Sequence, residues 1–313
     1  MGRFRVNDIA ERKLAMLGEV GRAWYAALDE TIDSFASEWG FSVGEVLGGG
    51  SHAFVAAVEL AGGDAAVFKL VLPDMRGAGD AAKELRVMAA AQGHGYARLL
   101  TYDRGYRAML MERLGAELDD SGLSVDEQVA VICETLTPWP PPPVGLDIET
   151  GAEKADWLSR NIEQMWNEVA QPCSKAAIRQ AQDFAAARIA AHDQTTAVLV
   201  HGDAHQSNVL MAPDGTYRLI DPDPLIAEPA ADLSVPMRDW NRELLATGDV
   251  VSSVRARCRL IAELTGVHSQ AIWEWGYMER VSTALYCHTL GITDWSEPAY
   301  AVIEACVGVT EFA

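Results

Sequence analysis

The chain has little cysteine and no orderly use of it. Its five cysteines, at 133, 173, 258, 287 and 306, are odd in number, scattered, and contain no CxxC pair, so neither a disulfide framework nor a zinc site is expected. No stretch approaches the ~18 consecutive apolar residues of a membrane span, and the opening MGRFRVNDIAERKL lacks the apolar core of a secretory leader. The Met-Gly start does not make a myristoylation signal, because Val6 stands where Ser or Thr is needed. A cytoplasmic protein without membrane partners is expected. Basic residues are scarce: 25 Lys and Arg against 45 Asp and Glu leave a formal charge of -20. Such a charge repels nucleic acid and anionic lipid at long range. There are no internal repeats, and no GK[ST] follows any glycine run, which excludes a P-loop.

What is present suits a two-lobed globular protein, since 313 residues with 49% hydrophobic content exceed the size at which one core stops growing. Apolar positions at Leu17, Val20, Trp24, Leu28, Ile32 and Phe35 recur at helical spacing, predicting one helix over 14–38 that ends at Gly40. From Phe41 the texture changes to short apolar runs divided by glycine turns: FSVGEVL, AFVAAVEL, AAVFKLVL, then LLTYD and YRAMLMERL, with the helix DAAKELRVMAAAQ between the third and fourth. These read as a five-stranded antiparallel sheet with one intervening helix. After Gly115 helices dominate, at 124–136, 154–168, 174–192, 240–264 and 268–290. The prolines of 137–145 must interrupt any helix and form a stiff connector, with recognition by a proline-binding domain as the alternative.

The segment VLVHGDAHQSNVLMAPDGTYRLIDPD, residues 198–223, carries the chemistry. Two strand-like runs, AVLV and YRLI, enclose a polar loop and a hairpin turning at Asp214 and Gly215. They present Asp203, Asn208 and Asp221, hard oxygen donors suited to magnesium-nucleotide chemistry. Phosphoryl transfer needs a group to orient or deprotonate the acceptor hydroxyl and cations on the phosphate oxygens. Asp203 suits the first task, and Asn208 with Asp221 suits metal binding. His201 and His205 could instead form a metal pair.

The step from Asp203 to Asn208 is similar to the HRDxxxxN loop of protein kinases, with HGD for HRD and IDPD for DFG. In that form it resembles the aminoglycoside phosphotransferases. GRAWYAAL, the LLTYD to MLMERL stretch and IDPDPLIAEPAADL narrow the resemblance to the streptomycin 6-kinases and the wider group of aminoglycoside and hydroxyurea resistance kinases, over about residues 18–290. The resemblance implies an α+β, protein-kinase-like bilobal fold: a nucleotide-binding lobe over 1–114 with a hinge at 111–115, and a helical lobe over 115–313 holding the catalytic loop and acceptor site. It implies transfer of a phosphoryl group from ATP, with GTP left open, and Mg2+, to a hydroxyl of a small cationic molecule such as an aminoglycoside, by a monomeric enzyme. A kinase of another metabolite or antibiotic, or a nucleotide-binding pseudokinase, are the alternatives.

Within that reading Lys69, in a strand too apolar for an unpaired cation, holds the nucleotide phosphates, and Glu84 on the following helix is its ion-pair partner. A snorkelling lysine and a solvated glutamate are the alternatives. Gly48, Gly49, Gly50 and Ser51 form a phosphate-covering hairpin, or a plain turn. Met111, Glu112 and Leu114 line the adenine edge, the latter two through backbone groups. Asp232 is structural, bonding the catalytic loop's backbone from the start of a helix. Asp223, Glu228 and Asp239 are acids placed to line the acceptor site, or ordinary surface carboxylates. Residues 149–195 carry no motif, and LTPWPPPP departs from the family's usual helix ending.

Overall fold

The computed structural model describes residues 2–48, 52–73, 80–103, 105, 108–142 and 148–312, with the side chains of 80–82 excepted. The chain folds as two compact units, Met1–Gly115 and Ala116–Ala313.

The first unit opens with two helices where one is predicted: α1, Asp8–Met16, and α2, Glu19–Trp39. The break falls at Gly18, which sits at φ +59 and ψ -118, a conformation closed to a side chain. The returning helix then passes so close that a Cβ on Gly21 would lie 2.0 Å from the Leu14 carbonyl oxygen. Gly40, in the left-handed region, ends α2 as predicted.

Five antiparallel strands follow: β1 (Phe41–Val46), β2 (Ala53–Leu60), β3 (Ala65–Val71), β4 (Leu99–Asp103) and β5 (Ala108–Glu112), in the order β1-β2-β3-β5-β4. Helix α3, Asp80–Ala91, lies between β3 and β4 in sequence. Strand alternation gives β3 two faces. Ala66, Phe68 and Leu70 join the cluster built by Phe35, Phe41 and Phe54, with the Phe35 and Phe68 rings 5.8 Å apart. Lys69, between them, points the other way.

The second unit is mostly helical: α4 (Val125–Leu136), α5 (Gly151–Glu168), α6 (Lys175–Ala191), α7 (Ser234–Arg238), α8 (Asn241–Ala246), α9 (Val250–Thr265), α10 (Ser269–Thr289) and α11 (Thr293–Ala305). Helix α10 is buried nearly all round, with α5, α6, α7 and α11 packed on it. The helix predicted over 240–264 is broken into α8 and α9 because Gly248 turns left-handed and Asp249 caps the new start through Ser252 N–H. The sequence reading contains no α11, which carries Pro298 in its interior. The carbonyl that Pro298 leaves without a helical partner, that of Asp294, instead accepts from Arg242 Nη2 at 2.9 Å.

Four short strands complete this unit as two ribbons. Strands β7 (Val209–Met211) and β8 (Tyr217–Leu219) make the predicted hairpin, with Gly215 at φ +82 in the turn. Strand β6 (Val198–Val200) pairs with β9 (Leu225–Ala227), beyond the predicted runs. No helix among the described residues is long and apolar enough to cross a membrane.

Candidate active site

The loop between β6 and β7 carries HGDAHQSN. His201 is the strut that ties it to the end of β8. Its Nδ1 accepts the Asp203 N–H at 3.1 Å and its Nε2 donates to the Ile220 carbonyl at 2.9 Å. One neutral tautomer satisfies both bonds. Burial drives the His201 pKa down, against the pull of Asp232 and Asp203, and so keeps the ring neutral. Asn208 closes the loop by donating its side-chain N–H to the Asp203 carbonyl at 2.9 Å, while its own carbonyl accepts Ile220 N–H at 3.0 Å. These bonds gather Asp203, Asn208 and the residue preceding Asp221 within one small network. Asp221 follows at φ +56, left-handed backbone that few non-glycine residues adopt.

Two further contacts hold the loop. Gly202 sits at φ +82, and a Cβ there would fall 1.9 Å from the Asp223 carbonyl oxygen, so only glycine lets the two segments touch. Asp232, fully buried, accepts His201 N–H at 3.0 Å, Gly202 N–H at 2.6 Å and Trp139 Nε1–H at 2.8 Å. Burial pushes its pKa up, while His201 and the three donors oppose the rise. The structural role expected of Asp232 is the one the geometry displays.

Asp203 keeps an accessible carboxylate, its side chain 36% exposed. Oδ1 accepts from Arg238 Nη2 at 2.5 Å, and Oδ2 lies 3.8 Å from His205 Nε2. Burial alone would raise its pKa, but the Arg238 charge, then His205 and His201, outweigh it and hold the carboxyl well below the ordinary range. Arg238 escaped the sequence reading. A signal existed: it is the one cation in the otherwise apolar and acidic run AADLSVPMRDW, the same argument that marks Lys69.

In the first unit Lys69 Nζ lies 2.6 Å from Glu84 Oε1, joining β3 to α3 with side chains 5% and 9% exposed. The snorkelling alternative does not describe so buried a pair. Met111 is buried, and Glu112 is bound into the sheet edge, its N–H to the Arg98 carbonyl and its carboxylate to Arg98 N–H. Leu114 lies past the end of β5. Gly48 is exposed and its carbonyl accepts from Asn7 Nδ2 at 3.1 Å; Gly49, Gly50 and Ser51 lie outside the described residues.

The three acids proposed for the acceptor differ in their surroundings. Asp223 is exposed, 3.5 Å from Lys154 Nζ on α5. Glu228 is held by Arg188 at 3.2 Å and by Trp275 Nε1 at 2.9 Å. Asp239 is buried, 3.5 Å from Arg238 Nε.

A hard cation fits the donors that Asn208 and Asp221 offer. With its nitrogen committed to Asp203, the Asn208 amide presents its oxygen, and Asp221 adds a carboxylate. Two protein donors are too few for a closed protein cage but suit magnesium, which keeps water and phosphate oxygens in its shell. The histidine-pair alternative is not favoured by His201, whose two ring nitrogens are already engaged by the Asp203 N–H and the Ile220 carbonyl.

The profile of the aminoglycoside/hydroxyurea antibiotic resistance kinases matches residues 41–291. A streptomycin 6-kinase of Streptomyces glaucescens is 29% identical over 276 residues, covering 86% of each chain. Among solved structures, a choline kinase from Streptococcus pneumoniae has a TM-score of 0.61 at 14% identity, covering 89% of this chain and 98% of its own. An aminoglycoside phosphotransferase from Streptomyces rimosus, in complex with ADP and streptomycin, has a TM-score of 0.54 at 16% identity, covering 82% and 98%. These likenesses show the bilobal, protein-kinase-like fold that the motifs imply. With the family profile spanning most of the chain, the protein belongs to the aminoglycoside/hydroxyurea antibiotic resistance kinases.

Proposed function

We propose that the enzyme transfers the terminal phosphoryl group of ATP to a hydroxyl of a small cationic antibiotic of the streptomycin class. The observation that carries the reading is the network joining Asp203, Asn208 and the Ile220–Asp221 step through His201. The hydroxyl oxygen bonds to the γ-phosphorus as the bond from phosphorus to the bridging oxygen breaks, ADP departs, and the hydroxyl proton passes to Asp203 or to solvent. Asp203, its carboxylate accessible beside Arg238, orients or deprotonates that hydroxyl. Asn208 and Asp221 are the residues that would hold Mg2+, which when bound neutralises charge on the phosphate oxygens. Lys69, fixed by Glu84, positions the phosphates, and the backbone beyond Glu112 receives the adenine edge.

Adenine nucleotide use is supported by the ADP complex of the Streptomyces rimosus relative, and the acceptor class by the streptomycin named for that structure and for the Streptomyces glaucescens enzyme. A formal charge of -20 favours encounter with a polycation. Hydroxyurea is the second reading, favoured by the family description. Incubation with labelled ATP and, separately, streptomycin, a neomycin-type aminoglycoside and hydroxyurea tests it. Label is expected on streptomycin; transfer to none of the three overturns the acceptor class. Asp203→Asn should lose most of its turnover yet still bind ATP, and undiminished turnover would remove Asp203 from the site.

A further inference from the structure

Arg238 has no part in the kinase motifs, yet its surroundings are built around it. Its side chain is 12% exposed and faces three carboxylates: Asp203 at 2.5 Å, Asp239 at 3.5 Å and Glu279 at 3.8 Å. Burial disfavours the cation, but the three acids outweigh it and keep the guanidinium charged. The backbone that carries it is clamped. Arg280 of α10, wholly buried, donates to the Met237 carbonyl and, at 3.0 Å, to Asn241 Oδ1. Gly276 brings α10 so near that a Cβ would lie 2.5 Å from the Met237 Cβ. A cation fixed this firmly orients whatever it bonds.

The Asp203 carboxylate is thereby divided. Oδ1 is engaged by a buried guanidinium, while Oδ2 makes no hydrogen bond among the described residues and lies 3.8 Å from His205 Nε2. We propose that Arg238 is a positioning residue for phosphoryl transfer: it holds Oδ1 of Asp203 so that Oδ2 is the oxygen presented to the acceptor hydroxyl. This rests on the kinase reading of Asp203. Without the guanidinium the carboxylate gains rotational freedom about its χ angles, and a misplacement of about 1 Å at a reacting group costs roughly 10²-fold in rate. A lysine supplies the charge but not the planar fork, so charge and geometry separate in Arg238→Lys.

The test is a double-mutant cycle between Arg238→Lys and Asp203→Asn, read as kcat and KM for ATP and streptomycin, with slow ATP hydrolysis as the readout independent of acceptor. Arg238→Lys is expected to lower kcat about 10²-fold with both KM values nearly unchanged. In the Asp203→Asn background, followed as residual transfer and ATP hydrolysis, the same change should cost almost nothing, because the carboxylate it orients is gone. Should Arg238→Lys fold poorly, Arg238→Ala with added methylguanidinium serves, and partial recovery of kcat is expected. Unaltered kcat in Arg238→Lys, additive losses in the cycle, or no recovery with methylguanidinium overturns the proposal. Wild-type enzyme that phosphorylates nothing and does not hydrolyse ATP would instead overturn the kinase reading beneath it.

Discussion

The backbone N–H of His201 donates to Asp232 Oδ2 at 3.0 Å, bridging 31 residues, and the neighbouring Gly202 N–H takes Oδ1 at 2.6 Å. The HGDAHQSN loop is thus suspended from one buried carboxylate, and Trp139 adds a third donor. Asp232→Ala orphans all three donors, which at about 1 kcal/mol or more each predicts a loss of roughly 3 kcal/mol or more in urea unfolding. Asp232→Asn should lose less, since its amide oxygen still serves one or two of the donors while its NH2 opposes another. Equal stability of wild type and the alanine variant would contradict the suspension.

Lys69 and Glu84 form a buried pair at 2.6 Å. Removing one partner takes the 2.6 Å counter-charge from a buried ion, so Lys69→Met and Glu84→Gln should each destabilise by about 3–5 kcal/mol. The double variant should be far more stable than the summed losses predict, as denaturant melts of all four proteins would reveal.

Gly202 and Gly215 share φ +82 but not surroundings: a Cβ meets the Asp223 carbonyl oxygen at 1.9 Å in the first and nothing within 4 Å in the second. Gly215→Ala should cost about 1–2 kcal/mol from backbone strain alone. Gly202→Ala should cost about 2–5 kcal/mol and forfeit activity, because strain and collision add. Thermal melts of the two variants side by side would expose the difference.

His201 gives stability a pH dependence of known sign. Its folded pKa lies below the unfolded value of about 6.5, so the unfolded chain binds more protons below that pH. The contribution is fully present above about pH 6.5 and is lost as pH falls through that value toward the folded pKa, by at most about 1.4 kcal/mol per pH unit. His201→Asn lacks this term. Unfolding free energies at pH 7.5 and 5.5 should therefore fall further in wild type than in the variant, and a parallel fall would exclude His201.

The motifs singled out the candidate site from the sequence alone. Asp203, Asn208 and Asp221 stand out because phosphoryl chemistry demands oxygen donors at set spacings, and Lys69 because an apolar strand does not hold a cation without an anion nearby. Five strands and most helices follow from local periodicity. The break at Gly18 was hidden, since the apolar spacing runs on through a residue whose backbone leaves the helix. Helix α11 was hidden for the opposite reason: Pro298 reads as a breaker, yet Arg242 from another helix satisfies the carbonyl it strands.

The pairing of β6 with β9 and the role of Arg238 lie beyond local reading altogether. Hydrophobic period and motif spacing are properties of neighbouring residues, so the chain alone determined its elements, its polar loop and the class of chemistry that loop can perform. Which carboxylate suspends the loop, which oxygen of Asp203 is held and which cation holds it depend on contacts across 30 or more residues. Those were decided only by tertiary packing, because a buried charge takes its partner from whatever the fold brings within reach.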